Sequence, residues 1–95
     1  MEIQIINSDR KTYANIGDYQ FLEARSGKHH VSVAVGPNGI DVCVHNASNR
    51  AWRGTGRRFE NAEAAIAGYK TEAIKEIIRL AVKTKAETPA APLAA

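Results

Sequence analysis

The sequence has one cysteine, one tryptophan and no long apolar run, and each scarcity removes a class of protein. Cys43 has no partner for an internal disulfide, which suits a reducing compartment and a cytoplasmic location. No apolar stretch approaches the ~18 residues that cross a bilayer, so no membrane partner is expected. The start, Met1-Glu2-Ile3-Gln4-Ile5-Ile6, lacks a basic segment followed by an apolar one, and no secretory signal is expected. Nucleophile-elbow, P-loop and dinucleotide-binding motifs are missing too. Gly54-Thr55-Gly56 has no third glycine and precedes the helical pattern only after five further residues. The chain therefore reads as non-enzymatic and without a cofactor.

What is present is a pattern that changes once. Up to Phe59 the apolar residues alternate as in strands, and from Asn61 they recur as on a helix. Glu2 to Asn7 reads as a short first strand, which Ser8-Asp9-Arg10-Lys11 then breaks. Tyr19 to Arg25 is a second strand, ended by the turn Ser26-Gly27-Lys28. Val31, Val33 and Val35 alternate with small residues, and Gly36-Pro37-Asn38-Gly39 turns the chain into Ile40, Val42 and Val44. With Pro37 and Asn38 central in that turn, Val35 faces Ile40, Val33 faces Val42 and Val31 faces Val44. Six β-branched residues then share one face, which must be buried. The other face pairs Ser32 with Cys43, Ala34 with Asp41 and His30 with His45.

Arg50 to Arg58 reads as the last strand. Trp52 is placed opposite Val44, which sends Trp52, Gly54 and Gly56 to the buried face and Arg53, Thr55 and Arg57 to the open one. A one-residue shift exchanges the two sets. Asn61 is a good helix N-cap with Glu63 in the first turn. The apolar period from Ala62 to Val82 predicts one helix of about 24 residues, roughly 36 Å long, whose apolar arc spans roughly 200°. That arc is wider than one sheet face needs. Ile74, Ile78 and Val82 are the surplus and form the expected dimer or partner interface.

The expected fold is α+β: a four-stranded, mainly antiparallel sheet in meander order, then one long C-terminal helix packed on one face. Residues 1–86 form the domain. Residues 87–95, rich in alanine and proline, form a disordered tail.

Candidate chemistry is sparse. Arg50, Arg53, Arg57 and Arg58 form a basic strand with no acid among residues 50 to 59, suited to phosphates, and the net charge of +3 permits DNA or RNA as partner. The alternative for such a strand is a solubilising edge. Tyr19 and Phe21 depend on the turn before Val31: a two-residue turn opens them to solvent as a base-stacking surface, whereas a three-residue turn buries them, and burial is the expectation. His30, Cys43 and His45 approach one another on the open face without the spacing of a structural zinc site, and no metal is assigned. The leading reading is a small nucleic-acid-associated protein. Its alternative is a protein-interaction module or small inhibitor acting through the helix, and in either case a homodimer is expected.

Phe59-Glu60-Asn61-Ala62-Glu63-Ala64-Ala65, with Tyr69 beyond it, resembles the strand-to-helix junction of AP2-type DNA-binding domains, and Trp52-Arg53-Gly54-Thr55 adds to the likeness. The resemblance implies a small antiparallel sheet packed on one helix. Three residues, Gly56-Arg57-Arg58, separate the Gly-Thr pair from Phe59, and the arginine- and tryptophan-rich first strands of that family have no counterpart in Tyr19 to Val35. No binding residue is carried over from it.

Overall fold

A computed structural model describes residues 2–45 and 54–89; the Trp52 register and candidates Arg50 and Arg53 lie outside these. Five strands, β1 (Gln4–Tyr13), β2 (Gly17–Ser26), β3 (His29–Val35), β4 (Ile40–His45) and β5 (Gly54–Phe59), form one antiparallel sheet in meander order. Two helices follow, α1 (Ala62–Ala67) and α2 (Glu72–Glu87). The architecture is the expected α+β meander with its C-terminal helix on one face, with five strands instead of four.

The first strand does not stop at Asn7 as expected: β1 continues to Tyr13 through the stretch read as a break. Ser8 to Lys11 are polar because β1 is the sheet's edge, and they pair with Leu22 to Tyr19 of β2. A bulge between Ile5 and Asn7 inserts Ile6 and reverses the alternation there. The β3–β4 hairpin has the register the sequence implies, from Val35 opposite Ile40 to His30 opposite His45. Val31, Val33, Val35, Ile40 and Val42 are buried, with Leu22 and Ala24 of β2 beside them.

Helix α2 crosses β2 and β3 and supplies Ile74, Ile77, Ile78 and Ala81 to that layer. Ile77 and Ile78 are wholly buried, and each is worth about 2–5 kcal/mol against alanine. Ile74 and Ile78, expected on a surplus face, thus lie in the chain's own core, while Val82 packs partly buried against it.

The single long helix is broken at Gly68–Thr71. Gly68 caps α1, its N–H pointing back to the carbonyls of Ala64 and Ala65. In a continuous helix the Gly68 carbonyl would accept from residue 72. Here the Arg57 guanidinium donates to it at 2.8 Å, and the chain restarts at Thr71 in extended conformation. Glycine is needed at this corner, since a Cβ on Gly68 would come within 2.6 Å of the Phe59 ring. Asn61 caps α1 as the sequence implies, its side chain accepting from the Ala64 N–H at 2.8 Å.

Arg10 fastens the far end of α2. Its guanidinium forms a two-pronged pair with Asp18, at 2.6 and 2.5 Å, and donates to the carbonyls of Lys85 and Thr88 at 2.9 and 2.7 Å. Helix C-termini leave such carbonyls without helical partners, and a cation there is favourable. The bond from Arg10 holds the Asp18 carboxyl below its ordinary pKa. Helix α2 runs to Glu87, the first residue of the stretch expected as a tail, and residues 90–95 lie outside the described part. No helix among the described residues is long and apolar enough to cross a membrane.

Candidate functional site

The sheet has one face under the helices and one open face, and alternation along each strand assigns side chains to them. The β2–β3 turn is the two-residue pair Gly27-Lys28, with Ser26 opposite His29. Gly27 takes φ +59°, a left-handed conformation that glycine adopts without strain. This turn puts Tyr19, Phe21, Glu23 and Arg25 on the open face and buries Gln20, Leu22, Ala24 and Ser26. The aromatics expected in the core are therefore half-exposed on the opposite side. The amide nitrogen of the buried Gln20 donates to Ser8 Oγ and to the Asp9 carbonyl, both at 3.1 Å, while its Oε1 is buried without a hydrogen-bond partner.

Three aromatic rings form a row along one end of this face. Tyr19 and Phe21 stack with centroids 5.8 Å apart and planes 16° from parallel. Tyr13 meets Tyr19 edge-on at 6.2 Å. Gly36 makes room for this row, since a Cβ there would lie 2.5 Å from the Tyr19 ring.

Beside Phe21 the sheet is low. Ser32 and Ala34 of β3, Cys43 of β4 and Gly56 of β5 are small residues side by side, and above them lies a trough of about 460 Å³ with Phe21 on one wall and Arg58 on the other. Gly56 is not required by the backbone or by packing: it is not among the positive-φ glycines, and a Cβ added to it meets nothing within 4 Å. Glycine inside a strand weakens it by about 0.5–1 kcal/mol relative to alanine, and it often marks a place where another molecule comes close.

At the other end of the face the histidines form a network. His30 and His45 stack with centroids 4.3 Å apart; His30 Nε2 lies 2.5 Å from Glu23 Oε2, and His45 Nε2 lies 2.8 Å from Ser32 Oγ. Burial and the neighbouring His30 lower the His45 pKa, partly offset by Glu23. Cys43 sits opposite Ser32 as a free, half-buried thiol. Among the described residues no group of three or more His, Cys, Asp or Glu side chains is arranged to hold a metal ion.

The basic strand is divided between the two faces. The β4–β5 register sets Val44 opposite Thr55 and Val42 opposite Arg57, three residues away from the expected pairing, and an odd shift exchanges the faces. Arg57 thus leaves the open face. It reaches around the helix side, donates to Gly68 and lies over the rings of Phe59 and Tyr69, at 4.8 and 5.2 Å from their centroids. Arg58 takes the open face and pairs with Asp41 at 3.1 Å, both well exposed. With Lys11, Arg25, Asp9 and Glu23 on the same face, cations and anions alternate there.

The aromatic row was legible only as an alternative turn length, and the trough had no signal beyond the small residues at alternate positions. The chain matches no family model, no curated protein and no solved structure.

Proposed function

We propose that this chain is a small non-enzymatic protein that binds single-stranded DNA or RNA across the open face of its sheet. The observation that carries the reading is the near-parallel Tyr19–Phe21 pair, held half-exposed beside a trough with a glycine floor. Proteins that bind single strands without strong sequence preference lay bases on such rings, each stacked base contributing about 1–3 kcal/mol, and lead the backbone past cations. Phe21 and Tyr19 are the stacking platform. Arg58 is the phosphate contact within the described residues, joined by Arg50 and Arg53 from the preceding stretch. Arg57 is engaged at the strand-to-helix corner and acts through the fold.

The alternation of charges on this face favours single strands over duplex DNA: flat aromatic surface is abundant there, and unpaired positive charge is not. A helix-borne partner site has less support, because Ile74 and Ile78 are buried. The half-buried free thiol of Cys43 in the binding face suits a reducing, cytoplasmic setting.

Fluorescence anisotropy with a labelled mixed-sequence oligonucleotide, single-stranded and duplex, tests the proposal. Binding should favour the single strand, weaken as salt rises, and fall about tenfold or more in Phe21→Ala. No binding of the single strand at low salt overturns it.

A further inference from the structure

We infer that β1 is the interface of a symmetric homodimer in which two sheets join edge to edge. β1 is the first strand in the sheet order and pairs only with β2, so its outer edge has no strand partner among the described residues. At ten residues it is long, and such an edge presents a row of N–H and C=O groups with which a second strand can pair. The large apolar side chains that are exposed among the described residues also gather there: Ile5 and Ile6 at the bulge, 51% and 47% exposed, and Ile16 in the turn after β1, 56% exposed.

The occupant is identified by self-complementarity. Asp9 and Lys11 flank Arg10 on the open face, half-exposed, and lean toward each other at 3.4 Å. A two-fold axis beside Arg10, perpendicular to the sheet, sets Asp9 of each copy opposite Lys11 of the other in an antiparallel pair. The same axis carries Ile5 and Ile6 of each copy to the turn that holds Ala14 and Ile16 of the other. The charge pairing selects the register, and the exposed apolar side chains at the two ends of the paired strands then lie near one another. Arg10 meets its own symmetry mate without exposing a bare charge, because Asp18 and the carbonyls of Lys85 and Thr88 already occupy its guanidinium. Both helix layers then lie on the same side, and the two open faces form one continuous surface. The homodimer expected through the helix thus finds its surface on the sheet edge instead.

Sedimentation equilibrium tests this through charge exchange. The wild-type chain should sediment at twice its 10.3 kDa mass. Asp9→Lys and Lys11→Asp each place like charges opposite one another at both symmetric contacts, and each should self-associate about tenfold more weakly or worse. An equimolar mixture of the two variants should recover the dimer, since the substituted position of one copy then faces the substituted position of the other with opposite charge. Misfolded variants would not recover on mixing, and far-UV circular dichroism of each separates that case. A monomeric wild type, dimers that persist in both single variants, or folded variants that fail to pair on mixing would each overturn the inference.

Discussion

The imidazoles of His30 and His45 lie face to face, with centroids 4.3 Å apart and planes 23° from parallel. Two neutral rings tolerate that contact, but two charged ones repel. The His45 pKa lies below its ordinary value near 6.5, first because of burial and then because of His30. A lowered value means that the unfolded chain takes up the proton more readily than the folded one. The stability due to neutral His45 is therefore complete above the ordinary value and is lost as pH falls through the folded one. The Glu23 carboxylate partly offsets this by favouring the charged ring. Urea midpoints should fall between pH ~7.5 and ~5, and His45→Gln, which keeps a partner for Ser32, should flatten that decline. An equal decline in both proteins would assign the acid sensitivity to other groups.

Arg57 and Arg58 are neighbours in sequence with unequal work in the fold. Arg57 replaces a helix hydrogen bond at Gly68 and covers two aromatic rings, whereas Arg58 makes one exposed ion pair. Arg57→Ala should lower stability by about 1–2 kcal/mol, and Arg58→Ala by no more than about 0.5 kcal/mol. Lysine at position 57 should recover little, because a point charge cannot bridge the carbonyl and lie flat on both rings. Urea denaturation of the three variants checks the ranking, and equal losses from Arg57→Ala and Arg58→Ala would contradict it.

These two residues also show where sequence patterning loses its grip. The β3–β4 hairpin was legible down to residue pairs because Gly36-Pro37-Asn38-Gly39 fixes the turn and valine alternates on both sides. The position of β5 was not, since the segment between His45 and Gly54 sets no register by its length. The three-residue difference moved Arg57 from one face to the other. The helix break had a glycine as its only local sign, in a run of alanines that would otherwise continue. Its cause is tertiary, an arginine and a phenylalanine from β5. Tyr19 and Phe21 depended on one residue more or less in the turn before β3. Short loops carry most of the topological information in a sheet, and their composition alone does not count their residues.

Gly56 offers the sharpest separation of binding from folding on the open face. Its neighbours leave the space above it open, so the Cβ of Gly56→Val enters solvent and its branched side chain suits a strand. Stability should stay level or rise by up to about 1 kcal/mol. The same side chain would occupy the trough between Phe21 and Arg58, where a stacked base would lie, and affinity for a single-stranded oligonucleotide should drop about tenfold. Opposite signs for the two effects distinguish a site from a structural position, because a variant that damaged the sheet would lose both together. Anisotropy titrations beside urea denaturation of the same preparation give both readouts. Wild-type affinity in Gly56→Val would mean that bases do not enter the trough, and would confine any contact to the Tyr19–Phe21 platform.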